Sequence, residues 1–224
     1  MTDNKIITDR EEILEAVKNR GDALKNASDT LKADREVVLE AVRNDGALKY
    51  VDESLWADRE VVLEAIRNEI GPALGPALEY ASDSLKADRE VVLEAVRRYG
   101  NALEYASDPL KADREVVLEA VRHMGYALQY ADDSLKDDGE VVLEAVRNDL
   151  THLAFEYASE SIKDDREVVL EAVKIWGGVL QHVSNTLKAD REVVLEAVKK
   201  NAWVLRCASE ELQNDPELKK LAQG

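Results

Sequence analysis

The sequence predicts an all-α fold: an α-solenoid of eight helix–helix–turn repeats of about 25 residues, with partial capping units at both ends. Three observations carry that prediction. The string Asp-Arg-Glu-Val-Val-Leu-Glu-Ala-Val recurs verbatim from Asp34, Asp88, Asp113, Asp165 and Asp190. Near copies open at Asp9, Asp58 and Asp138, the last with Gly139 in place of arginine, and a degenerate copy opens at Asp215. The intervals between these aspartates are 25, 24, 30, 25, 25, 27, 25 and 25 residues. Within each copy the apolar residues keep helical spacing, in a stripe wide enough for a helix sandwiched between neighbours.

The repeat from Asp88 to Ala112 shows why each element is expected. Asp88 is an N-cap whose carboxylate accepts from the free N–H groups of the first turn, and Glu90 complements the positive helix end. Val91, Val92, Leu93, Ala95 and Val96 form the apolar stripe, with Leu93 and its equivalent Leu118 expected to be buried between neighbours. Arg97 and Arg98 suit the C-terminal end. Gly100 is expected to stop the helix in a left-handed turn, as are Gly21, Gly46, Gly125 and Gly177 elsewhere. A shorter second helix is expected from Asn101 to Ser107, with Ala102, Leu103 and Ala106 facing inward. Asp108-Pro109 then opens a single tight turn carrying Leu110.

The ends fit the same register. Ile6 falls in the column of Leu31, Leu55 and Leu85, so the sequence starts within a partial unit. Asp215-Pro216 caps a last amphipathic helix carrying Leu218 and Leu221 together with Glu217, Lys219 and Lys220. A polar outer face of this kind closes a solenoid at residues 215–224. Linkers rich in Gly, Ser or Pro are lacking, so one domain over 1–224 is expected. Stacked at roughly 8–10 Å per helix layer, it would be on the order of 70 Å long.

The full pattern, Asp-x-x-Val-Val-x-x-Ala-Val, then Gly, then Ala-Leu-x-Tyr-Ala-Ser-x-x-Leu, resembles the repeats of the domain of unknown function 4116 family. The resemblance covers nearly the whole chain and implies a repeat fold; it implies no activity, substrate or cofactor. Two insertions depart from the pattern, after Ile66 and after Arg147, and would bend the stack. The first contains a local duplication, Gly71-Pro72-Ala73-Leu74 followed by Gly75-Pro76-Ala77-Leu78.

Composition narrows the function classes. Thirty basic against 47 acidic residues leave a net charge of −17. Nucleic acid is bound mainly by Lys and Arg neutralising phosphates, so direct nucleic-acid binding is not expected, while a basic protein partner would be steered in. Cys207 is the sole cysteine, which rules out a disulfide framework or a thiolate metal site. Met1 to Arg10 lacks a signal-like apolar run, and no stretch approaches a membrane span. A soluble cytoplasmic protein is expected, with a translocated effector as the alternative.

Function in a stacked array is sought column by column. Glu15, Glu40, Glu64, Glu94, Glu119, Glu144, Glu171 and Glu196 share one column, and a basic residue always follows three positions later, from Lys18 to Lys199. Alternating charges of this kind read as i,i+3 pairs and ladders between repeats rather than as an acidic track. Tyr50, Tyr80, Tyr105, Tyr130 and Tyr157 share another column, with Asn26, His182 and Cys207 at its ends. Acidic neighbours make it half-buried packing rather than a base-stacking platform. Trp56 stands where most units have Lys, and is expected to pack over the short 24-residue unit.

The most variable column holds Arg20, Asp45, Glu69, Tyr99, Met124, Asp149, Trp176 and Asn201. Its charged members argue against reliable burial. Tyr99, Met124 and Trp176, with Tyr126 and Trp203 close by, form the candidate partner-binding surface, and Trp176 is the expected anchor. The competing reading is that these residues cover the ends of their own helices. Catalytic, cofactor-binding and metal-binding residues are expected to be none. His123, His152 and His182 fall in different columns, and no phosphate loop, nucleophile elbow or HExxH motif occurs. The expected function is a non-enzymatic protein–protein interaction scaffold. The alternatives are an acidic mimic occupying a basic nucleic-acid-binding groove of a target protein, and a consensus-like array without an evolved ligand.

Overall fold

The computed structural model describes residues 6–44, 47–68 and 76–223. Each repeat opens with a long helix: Arg10–Asn19, Arg35–Arg43, Arg59–Arg67, Arg89–Arg98, Arg114–His123, Gly139–Arg147, Arg166–Ile175 and Arg191–Lys200. The aspartate before each helix caps it as the sequence predicts. Asp34, for instance, accepts from the amides of Glu36 and Val37 at 3.0 and 3.2 Å. The fold is an all-α solenoid of helical repeats, and it divides into two compact units, Met1–Leu110 and Lys111–Gly224.

The second element differs from expectation. It is a 3-10 helix, Gly100–Tyr105 in the fourth repeat and Gly125–Tyr130 in the fifth. The expected tight turn is a one-turn α-helix, such as Asp108–Lys111 or Asp133–Lys136. The backbone bonds of the second element run i→i+3, as from the Ala127 amide to the Met124 carbonyl at 2.9 Å and from Ala131 to Leu128 at 3.1 Å.

In the first unit the short helices are tied by a series of backbone bonds. Ser28 donates to the Ile7 carbonyl at 2.8 Å, Asp52 to Lys32 at 3.1 Å, Ser82 to Trp56 at 2.9 Å and Ser107 to Lys86 at 2.9 Å. Ile7 therefore takes the position of Lys32, Trp56 and Lys86, which puts Ile6 in the predicted column of Leu31 and Leu85, but Ile6 is 65% exposed where those two are buried. In the second unit Asp132, Ser159, Ser184 and Ser209 donate in the same way to Lys111, Lys136, Lys163 and Lys188 at 2.8–3.0 Å. The last helix, Pro216–Gln223, buries Leu218 and turns Lys219 and Lys220 outward.

The core is built from paired valines. Val37, Val38, Val61, Val62, Val91, Val92, Val116, Val117, Val141, Val142, Val193 and Val194 are all fully buried. Leu93 is buried, but Leu118 is only half-buried, contrary to expectation. A residue one position beyond the valine pair lies about 100° round the helix, which turns the leucine column to the edge of the groove between successive helices.

The glycines also act differently from the sequence reading. Gly125 and Gly177 do not adopt the left-handed conformation. They sit against the end of the next repeat's long helix, where a Cβ on Gly125 would collide with the Ala145 carbonyl oxygen and come within 2.8 Å of the Asp149 backbone nitrogen. The Gly125 amide donates to the Asn148 carbonyl at 3.1 Å, and Gly21 to Asn44 at 3.0 Å, so the column serves close approach. Gly46, Asp45, Glu69 and the duplicated segment up to Gly75 lie outside the described residues.

Candidate functional site

A guanidinium ladder runs along the N-terminal ends of the long helices. Within each unit, arginines that follow an N-cap reach forward to the N-cap aspartate of the next repeat and to the glutamate two residues beyond it. In the first unit Arg10 holds Asp34 at 2.8 Å and also Glu36, Arg35 holds Asp58 at 2.6 Å and also Glu60, and Arg59 holds Asp88 and Glu90 at 3.0 and 2.6 Å. In the second unit Arg114 holds Asp138 and Glu140, Arg166 holds Asp190 and Glu192, and Arg191 holds Asp215 and Glu217. The arginine hydrogen bonds hold the Asp34 and Asp58 carboxyls below the usual aspartate range, against the opposing effect of partial burial.

One rung is broken. Gly139 occupies the arginine position of its repeat, and among the described residues no cation pairs with Asp165 or Glu167 of the next. The consequences are local and specific. Val168 is only half-buried, whereas the valines at the same position, Val37, Val61, Val91, Val116, Val141 and Val193, are fully buried. Asp165 is exposed, whereas Asp34, Asp58, Asp88, Asp138, Asp190 and Asp215 are half-buried. A groove of about 850 Å³ opens here, lined by Gly139, Leu143, Glu167, Val168, Leu170 and Glu171 among others. The equivalent groove in the first unit, where Arg59 is present, is about 260 Å³ and is lined by the matching Leu63, Glu90, Leu93 and Glu94.

A second ladder follows the glutamate column and behaves as the sequence predicts. Arg122 pairs with Glu119 of its own helix at 3.2 Å and with Glu144 of the next at 3.6 Å. In the first unit Arg43 pairs likewise with Glu40 and Glu64, both at 3.9 Å. The arginines of these pairs are exposed and the glutamates half-buried, and such surface pairs are individually weak.

The residues of the predicted partner surface have different local settings. Tyr99, Met124 and Trp176 are half-buried, each forming the C-cap of its long helix in extended conformation. Tyr126 meets Tyr157 edge-on with ring centroids 5.6 Å apart. Its hydrogen bond, together with burial, pushes the Tyr157 hydroxyl up to about 12. Trp176 stacks on His152 at 4.8 Å and lies over Gly178, where an added Cβ would collide with its indole. Trp203 is 75% exposed, with Arg206 5.7 Å from its ring, on a groove of about 430 Å³ that also includes Leu205, Gln213 and Lys219.

The insertion after Arg147 explains the Trp176 setting. Asp149, a charged member of the variable column, is only 5% exposed, which corrects the inference that charge there means exposure. Its carboxylate accepts from the amides of Thr151 at 2.9 Å and Ala154 at 2.5 Å and from the Thr151 hydroxyl at 2.6 Å. These bonds hold its pKa low despite the opposing effect of burial, the largest single influence. The loop so folded places His152 at φ 62°, the left-handed region, and its ring on Trp176.

The tyrosine column is half-buried throughout, and Trp56, 5% exposed, stacks on Tyr80 at 5.2 Å, both as expected. Among the described residues no group of three or more His, Cys, Asp or Glu is placed to hold a metal ion. No helix among them is long and apolar enough to cross a membrane.

Repeats of capped helix, 3-10 helix and one-turn helix, joined by backbone ties and ion-pair ladders, define a helical-repeat protein of the solenoid class. The chain belongs to the DUF4116 family, described as a domain of unknown function, whose model matches residues 9–47, 74–111, 113–163, 149–188, 165–213 and 190–222. No curated protein matches the chain.

Proposed function

We propose that this chain is a non-enzymatic scaffold that binds a protein partner through its C-terminal repeats. The observation that carries the reading is Trp203: a large aromatic three-quarters exposed beside an open groove, on a repeat whose other apolar side chains are mostly enclosed. Exposed tryptophans that become fully covered on association commonly supply the strongest contacts of an interface. Trp176, engaged by His152 and Gly178, supports the local loop, so the anchor role passes to Trp203. Tyr99, Met124 and Tyr126 contribute packing around their own repeats. Charge mimicry is the weaker reading, because the ladder carboxylates outside the broken rung are matched by arginines of the chain itself, as Asp58 by Arg35 and Asp190 by Arg166.

The test places a photo-crosslinking residue at Arg206, exposed on the same groove as Trp203, and, as a control, at the exposed ladder position Glu36. A saturable crosslink to one protein from position 206, lost in competition with unlabelled chain but not with Trp203→Ala chain, supports the reading. Equal crosslinking from both positions that disappears at high salt supports mimicry instead.

A further inference from the structure

We propose that the groove at the broken rung is a docking site for an arginine side chain presented by a partner protein, which replaces in trans the arginine that Gly139 removes in cis. Two independent features point to that occupant. The first is charge geometry. Elsewhere in the chain an N-cap aspartate and the glutamate two residues on grip one guanidinium between them, as Asp138 and Glu140 grip Arg114 at 2.8 and 2.5 Å. Asp165 and Glu167 repeat that pair on the same helical frame, with Asp165 fixed by the amides of Glu167 and Val168 at 2.9 and 3.1 Å, and no arginine reaches them among the described residues. The second is the uncovered apolar floor. Val168 is only half-buried where the six equivalent valines are fully buried.

An arginine suits both features because its aliphatic stem covers apolar surface while its planar fork meets carboxylates. The opening of about 850 Å³, against about 260 Å³ where Arg59 is in place, leaves room for flanking residues on Leu143 and Leu170. Gly139 keeps the entrance clear, since a Cβ there would stand 2.8 Å from a Val168 methyl carbon. The occupant is therefore an arginine with apolar neighbours in a segment of another protein. Glu171 adds to the negative lining, and Lys174, which also lines the groove, disfavours a second cation close by. This site is separate from Trp203 and stands or falls independently of it.

The experiment is an amide-resolved NMR titration of the full chain with the blocked peptide Ala-Leu-Arg-Leu-Ala. Parallel titrations use the same peptide with citrulline, which keeps the shape and loses the charge, the same peptide with lysine, and blocked arginine alone. The expected result is saturable shifts centred on Gly139, Glu167 and Val168. Citrulline should bind at least ten-fold more weakly, lysine several-fold more weakly, and blocked arginine several-fold more weakly than the peptide. Asp165→Asn with Glu167→Gln keeps the cap and should weaken the arginine peptide at least ten-fold, while Trp203→Ala should leave the titration unchanged. Gly139→Arg should remove binding by filling the site. Shifts spread evenly over the other ladder positions, citrulline binding equal to arginine, or an Asp165→Asn/Glu167→Gln chain that binds normally would each overturn the proposal. Equal binding of blocked arginine and peptide would overturn the assignment to a protein segment in favour of a small guanidine.

Discussion

Gly125→Ala isolates the idea that the glycine column serves close packing between repeats. A glycine in an unstrained, right-handed conformation ordinarily tolerates alanine and gains about 0.4–1 kcal/mol from the stiffer unfolded chain. Gly125 has an ordinary backbone conformation, so conformation alone predicts stabilisation. Packing predicts the reverse. The new Cβ would overlap the Ala145 carbonyl oxygen and lie 2.8 Å from both the nitrogen and the Cβ of Asp149. Comfortable carbon contacts are roughly 3.5–4.0 Å, so clearing the Ala145 oxygen alone needs the end of the Gly139–Arg147 helix to retreat by more than about an ångström. Those atoms are mostly backbone, and no rotamer change relieves them. Overpacking of this kind costs about 1–3 kcal/mol, and loosening the Gly125–Asn148 hydrogen bond adds about 1 kcal/mol. The net expectation is a loss of about 1–3.5 kcal/mol in urea unfolding followed by circular dichroism. Gly139→Ala is the control, because its near neighbour is a methyl of half-exposed Val168, and it should cost less than about 1 kcal/mol. A Gly125→Ala chain as stable as the parent would refute the close-approach account and restore a purely conformational role.

Further outcomes follow from burial and charge. Leu128→Ala, at a fully buried site, should cost about 2–5 kcal/mol in the same assay, and Leu118→Ala, at the groove edge, less than half as much. Asp34 and Asp58 have folded pKa values below the ordinary 3.8, so their stabilisation is complete above that value and is lost as pH falls through the lower folded values. A thermal melt series should therefore show midpoints falling below about pH 4, and Asp34→Asn with Asp58→Asn should flatten that fall. His152→Gly relieves a left-handed residue but gives up the ring stack, and should change stability by no more than about 0.5 kcal/mol. His152→Ala keeps the strain and loses the stack, and should cost about 1 kcal/mol. Tryptophan fluorescence should shift in both variants.

Much of the fold was legible because each repeat states its own boundaries. The aspartate caps, the amphipathic stripe and the polar last helix are local signals, and eight near-copies remove the ambiguity of any single one. The winding of the second element was not legible, because apolar spacing over six residues does not separate i→i+3 from i→i+4 bonding. The role of Gly125 was hidden for a different reason: glycine after a helix signals a left-handed cap, and only the neighbouring repeat shows that space is the constraint. Asp149 was misread because its partners are the backbone amides of its own inserted loop. The arginine ladder left a trace in the constancy of Asp-Arg-Glu, with Gly139 as the visible exception. Its meaning needed the distance from each arginine to the next repeat. Trp203 and Trp176 look alike in sequence, and only the folded loop around His152 distinguishes the exposed ring from the engaged one.

The central claim is that Gly139 marks a missing member of the ladder and that Asp165 and Glu167 remain arranged for a guanidinium. A double-mutant cycle tests it most directly: Gly139→Arg and Gly139→Gln, each measured in the parent and in the Asp165→Asn/Glu167→Gln background by urea unfolding. Comparing arginine with glutamine cancels the shared gain in helix propensity and the shared contact with Val168. The account predicts a favourable coupling of about 0.5–1 kcal/mol for arginine, as for an exposed bidentate pair, that fades at about 1 M salt. A coupling of zero at low salt would contradict it, because the carboxylates would then not be placed to receive the charge.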